Sequence, residues 1–303
     1  MLLVANYATL WPVYTEQSSQ QATPLEEEAV APPAIIPDHD VQSNLVLDPR
    51  EKWLAWLEVV KAVLLWVTSF LLLVSVPVIT ALPYVIYQLA AFGAKAAQVF
   101  ATDKNLLFFS VLGILPAHLL TLSVIWMVIS EGGRKPFWKT IGFEWPERMS
   151  PVITTIACSV LALLLFGLAQ LVTYIYGERK TDLDLLIESS LYARLATAFM
   201  ATVTAPLVEE VIYRGVLYRA LEKAAGIAVA VPIVSLLFAG VHVYQYRNNI
   251  AVIIVITLLS IVLTVSRALS GKMLPAFIIH LVFNGIQSFF IVLGGFINAD
   301  SLK

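Results

Sequence analysis

Three groups of polar side chains interrupt otherwise apolar stretches of the chain. They are Glu209-Glu210-Val211-Ile212-Tyr213-Arg214, Phe238-Ala239-Gly240-Val241-His242 and His280-Leu281-Val282-Phe283-Asn284. Ionisable groups are costly in a bilayer core, so a buried set of them marks a functional site. Two carboxylates, two imidazoles, an amide and a guanidinium can activate a water molecule and steady an oxyanion. The chemistry they suit is hydrolysis within a membrane.

Helical spacing assigns these residues to faces. Side chains four apart are neighbours on a helix, so Glu210 and Arg214 can pair, and the arginine offsets the cost of burying that carboxylate. Glu209 lies about 100° further round, on the Tyr213 face, and remains available as a base. Phe238 with His242, and His280 with Asn284, share faces in the same way. Each group has a plainer reading when taken alone. Glu-Glu followed by Arg ends many interfacial helices, a lone His near a span end is usually a packing residue, and Asn within a span serves as helix–helix glue.

Depth ties the first two groups together. Glu209 and His242 are equidistant from Ala225-Gly226, so a helical hairpin turning at that glycine puts both at one level, roughly 24 Å from the turn. Straight helices leave His280 about 10–15 Å away from that level. A kink near Pro275 or a shorter sixth helix is expected to bring it in.

The elements that must carry these groups are membrane helices. Hydrophobic residues are 59% and charged residues 13% of the 303, which makes this an all-α polytopic membrane protein. Apolar runs long enough to span lie at roughly 57–80, 106–129, 151–176, 195–213, 227–244, 250–268 and 273–295. The stretch 83–101 carries Gln88, Lys95 and Gln98 and is equally suited to lie at the interface, so seven or eight spans are expected, with the catalytic core in a four-helix group. The 131–150 loop, with Arg134, Lys135, Lys139 and Arg148, should face the cytoplasm. Alternation then puts Arg214, Arg219, Lys223, Arg267 and Lys272 on the same side, and leaves the side of the N-terminus open. Residues 1–52 read as a flexible tail, 53–194 as a variable transmembrane region and 195–295 as the core that carries the three polar groups.

The net charge of −2 argues neither for nor against an acidic partner, and the absence of a basic stripe or aromatic-basic interleaving argues against nucleic acid. Cys158 is the only cysteine, so neither an intramolecular disulfide nor a multi-thiolate zinc site can form. The first residues lack the basic region of a cleaved signal peptide. A multi-pass protein of the cell membrane is expected, with the bilayer and a membrane-associated protein or peptide as partners.

In order and spacing, the three groups resemble the CPBP family, which joins type II CAAX prenyl endopeptidases to bacteriocin-processing and self-immunity proteins. Its pattern is Glu-Glu-x-x-x-Arg, Phe-x-x-x-His and His-x-x-x-Asn, and every position matches over about 195–292. The resemblance implies an intramembrane endopeptidase in which Glu209 is the general base on water and His242 positions that water. It gives His280 and Asn284 to the oxyanion, with Glu210, Arg214, Tyr213 and Phe238 in support. Family members have also been described as metalloproteases, in which case Glu209, His242 and His280 would hold zinc. No His-Glu-x-x-His helix is present and the Asn suits an oxyanion hole better, so no cofactor is expected and zinc is the runner-up. The alternatives are a non-enzymatic membrane immunity or scaffold protein, and a transporter, for which no paired repeat is evident.

Overall fold

The computed structural model describes residues 48–93, 95, 100, 103–177, 179 and 182–300. Among them there is helix and no strand. Helix α1 runs Pro49–Phe92, α2 Lys104–Ile129 with an interruption at Gly113, α3 Phe137–Thr140 and α4 Pro151–Tyr176. Then follow α5, Asp182–Ser189, α6, Leu191–Ala225, α7, Ile227–Tyr246, α8, Ile250–Ser270, and α9, Leu274–Asp300. Six of these are long and apolar enough to cross a membrane, and α7 is apolar over the shorter stretch Ile227–Val243. The chain is a multi-pass integral membrane protein.

The run at 83–101 is not a separate helix where it is described. It continues α1 through Pro77 and Pro83 to Phe92, giving 44 residues or about 66 Å of helix. Prolines are tolerated within membrane helices because neighbouring groups can re-satisfy the freed carbonyls. Residues 49–52, assigned to the tail by composition, are the first turn of α1, with Pro49 at the position where its missing N–H costs nothing. The rest of the expected tail, 1–47, lies outside the described residues.

Large side chains such as Leu64, Leu71, Ile79, Leu164 and Leu236 stand exposed on the outer helix faces, as they do where lipid is the solvent. Inside, α4, α8 and α9 pack through Cys158, Ala162, Ala169, Leu263, Ala276 and Ile279, and the small residues let the helix backbones approach closely. A second core joins α1, α6 and α7 through Val59, Val211, Tyr213, Leu217, Val234 and Phe238.

The hairpin between α6 and α7 turns at Gly226, whose φ of 81° suits glycine. His280 needs neither a kink at Pro275 nor a short helix, since α8 runs a full 21 residues. The start of α9 is placed instead by the loop that precedes α4. Met273 N–H donates to Gly142 O at 2.7 Å, and Lys272 pairs with Glu144 at 2.9 Å. Met273 thereby lands against Gly215 of α6, and buried Ile141 fills the other side. Counting back from Gly215 to Glu210 and on from Met273 to His280 gives about 8 and 10 Å along antiparallel helices, so the two side chains meet. The depth estimate failed because it counted from Gly226. Helix α6 overshoots the α8–α9 turn by about two and a half turns, and α9 is docked to its middle.

Gly215 makes this docking possible. A Cβ there would lie 3.1 Å from Ile141 Cβ and 3.2 Å from Met273 Sδ. Gly215→Val is therefore expected to destabilise the protein by about 1–3 kcal/mol. Thermal unfolding in detergent would read this as a lowered midpoint; an unchanged midpoint would mean that α9 is not seated on α6 at this point.

Candidate active site

The backbone that carries Glu209 and Glu210 is not a plain α-helix. The α-helical segment Ala205–Glu210 lies between two π-helical segments, Met200–Thr204 and Val211–Leu217. Ala205 N–H donates to Met200 O and Tyr218 N–H to Tyr213 O, each five residues back. Such insertions within helices recur at functional sites. The carbonyl of Arg214, within the second π segment, receives an additional hydrogen bond from Arg267 Nε of α8 at 3.3 Å.

Glu210 and Arg214 form the expected pair, at 3.0 Å, and both side chains are wholly buried. Arg214 Nη2 reaches α8, donating to Ser260 O at 3.1 Å, to Ser260 Oγ at 3.2 Å and to Thr264 Oγ1 at 3.2 Å. Its guanidinium faces the Phe238 ring at 4.7 Å, a favourable cation–π contact. Ser260 Oγ in turn donates to Ser235 O of α7 at 3.2 Å. One arginine thus gathers α6, α7 and α8.

His280 of α9 stands between the two carboxylates. Its Nδ1 is 2.8 Å from Glu210 Oε1, and its Nε2 is 3.7 Å from Glu209 Oε2, close enough to pair but too long for a direct hydrogen bond. A carboxylate oxygen only accepts, so Nδ1 carries the proton that bonds Glu210. Glu209 differs from its neighbour in access, with a side chain 26% exposed against none for Glu210.

His242 is half-buried and donates from Nδ1 to Phe238 O at 2.8 Å. The carbonyl accepts only, which leaves Nε2 as a lone-pair acceptor in the neutral ring. Phe238 lies between the imidazoles, 4.9 Å from His242 and 6.0 Å from His280 between ring centres, while Tyr246 stacks 6.5 Å away on the far side of His242. Asn284, one turn beyond His280, donates from Nδ2 to Ala201 O of the first π segment at 2.9 Å. That bond uses one of its two amide protons.

Several partners carry no sequence signal that the motifs capture. Trp66 of α1 donates to Tyr213 Oη at 3.0 Å, so the region expected to vary freely supplies a contact to the site. His118 of α2 is buried and hydrogen-bonded to Thr204 Oγ1 at 2.9 Å, bracing the first π segment. Ser260, Thr264 and Arg267 do leave a trace. They recur at helical spacing on one face of an otherwise Ile, Leu and Val run. Trp66 leaves none, because an aromatic in a span has the same appearance whether it faces lipid or protein.

The zinc alternative requires Glu209, His242 and His280 to converge. Among the described residues no group of three His, Cys, Asp or Glu side chains is disposed to hold a metal ion.

Residues 190–286 match the family model described as Rce1-like, type II CAAX prenyl endopeptidase Rce1-like. The match covers about a third of the chain, includes all three motifs, and agrees with the resemblance they carry. Its description suggests a protease of CAAX type. No curated protein and no solved structure matches the chain.

Removing the Arg214 charge strands a buried carboxylate. Arg214→Met is expected to cost about 3–5 kcal/mol, the range for breaking a buried pair by deleting one partner. Arg214→Lys keeps the charge but not the reach to Ser260 and Thr264 together, and should fall between. Unfolding midpoints of the two variants in detergent check this order, which reverses if packing volume rather than charge is what matters.

Proposed function

We propose that this protein is a glutamate-dependent intramembrane endopeptidase that cleaves membrane-associated substrates, with CAAX-type prenylated peptides as the leading class. The observation that carries this reading is the inequality between the adjacent carboxylates. Glu210 is sealed and committed to Arg214 and His280, whereas Glu209 is accessible and lies beside an imidazole.

In the proposed reaction Glu209 takes a proton from water as the water oxygen bonds to the scissile carbonyl carbon. His242 Nε2, left as an acceptor by the Nδ1 bond to Phe238, accepts the second water proton as a hydrogen bond and orients the attack. The carbonyl electrons move onto oxygen, where the remaining Nδ2–H of Asn284 can donate. His280, one turn before Asn284, is the second oxyanion group, its Nδ1–H held by Glu210 Oε1. Collapse of the tetrahedral intermediate breaks the C–N bond, and the proton held by Glu209 passes to the departing amine. Each oxyanion donor can supply about 3–4 kcal/mol in a site shielded from water. Glu210 and Arg214 do no chemistry in this scheme; they hold α6 against α8 and α9.

A metal-free reaction is supported by the occupation of the histidines. His280 Nδ1 is committed to Glu210, and His242 is turned by its bond to Phe238 towards an acceptor role.

Cleavage of a panel of prenylated and unprenylated membrane-bound reporter peptides by the purified protein tests the proposal. Glu209→Gln is expected to lower the rate by about 10²–10⁴ with its unfolding midpoint retained, and a zinc chelator should leave the wild-type rate unchanged. Full activity in Glu209→Gln would remove Glu209 as the base. Loss of activity with chelator would make His242 and His280 metal ligands.

A further inference from the structure

Away from the candidate active site, at the end of the bundle where the 131–150 loop lies, α1, α2 and α6 enclose a cleft of about 410 Å³. That volume is within the range of small-ligand sites, about 300–1,000 Å³. Its rim carries Lys61, Lys135, Arg219 and Lys223 against Glu58 and Glu131, four cations to two carboxylates. Both carboxylates are already spent, Glu58 on Lys61 and Glu131 on Lys135. The hydrogen bond from Lys135 holds the Glu131 carboxyl below the usual carboxylate range, with Lys61 and Arg134 adding to the effect. Arg219 and Lys223 are exposed, one turn apart on α6, and form no ion pair among the described residues. The floor beneath them is Ala62, Gly215, Val216 and Ala220, small and apolar.

We propose that this cleft binds the phosphate of an anionic phospholipid headgroup. The bound species is a phosphate-bearing anion, and three features favour a lipid as its source. The outer faces of the walls are lipid-facing, with Leu57, Val60 and Leu64 of α1 and Leu120 and Met127 of α2 exposed beside the cleft-lining turns, so acyl chains have apolar helix to run along. Exposed Trp126 and Trp138 stand at the same end of the bundle, where aromatic side chains mark the headgroup level. Basic pockets between helices at the cytoplasmic face suit such headgroups, and the 131–150 loop carries the basic residues of that face. Arg219 and Lys223, unpaired among the described residues, face a compact anion from α6, and the small floor residues leave room for it. Nothing in this assignment depends on the protease reading.

The test is a titration of the full-length protein in detergent with short-chain phosphatidylglycerol, phosphatidylcholine of the same chain length, and inorganic phosphate. Binding is read by native mass spectrometry and by the unfolding midpoint. The wild type should retain phosphatidylglycerol preferentially and lose that preference as salt rises. The double variant Arg219→Gln, Lys223→Gln should bind phosphatidylglycerol roughly tenfold to thirtyfold more weakly. Its midpoint without lipid should match wild type, since both side chains are exposed. Lys104→Gln, at the opposite end of α2, should leave binding as it is. Equal retention of the two lipids, or an unchanged preference in the double variant, overturns the proposal. Inorganic phosphate that displaces phosphatidylglycerol at equal concentration would assign the cleft to a soluble anion and overturn the lipid as its occupant.

Discussion

The ion pair between Glu210 and Arg214 is the constraint around which the inner helices are arranged. Two unit charges with no exposure cost several kcal/mol each to desolvate, more than their mutual attraction reliably returns. The deficit has to be met by neighbours, and here they come from α7, α8 and α9. Hydrogen bonds to a charged group contribute about 1.5–3 kcal/mol each. Arg214 receives oxygens from Ser260 and Thr264 of α8 and the ring face of Phe238 from α7, while Glu210 receives His280 from α9. A neighbouring helix that slid by one turn would strip the buried pair of these hydrogen bonds, so the pair acts as a register lock more than as a source of stability.

The same arrangement makes adjacent identical residues chemically unequal. Glu209 and Glu210 differ by about 100° of helix rotation, which is enough to seal one inside the bundle and leave the other a quarter exposed. His280 links them and cannot move towards one without leaving the other. The Phe238 ring contacts both His280 and His242, so one aromatic side chain packs against both imidazoles.

Much of this was legible in the residues themselves. The spans at 151–176, 227–244 and 250–268 are close to the observed helices because uninterrupted apolar runs bounded by Gly, Pro or charge leave little choice. The Glu210–Arg214 pair follows from helical spacing alone. The level of His280 did not, because it depends on where α9 is seated, and that is decided by a loop more than a hundred residues earlier through Gly142 and Glu144. The stretch 83–101 was left undecided for a related reason. Gln88 suggested an interface, yet it donates to Tyr84 Oη on its own helix, and Tyr84 is anchored to Asp103. Trp66 and His118 were invisible because their importance lies only in what they touch.

The two π-helical segments on either side of Glu209 and Glu210 have a consequence for how this chain compares with any relative. Each holds one residue more than an α-helix of the same rise would accommodate, taken up without breaking the helix. A relative lacking one of them would keep the same motif letters but present them turned by about a residue's rotation relative to one flank. Matching letters at 209, 210 and 214 would then not guarantee matching sites, and a one-residue gap between 200 and 217 in an alignment would be a change of geometry rather than a neutral difference in length.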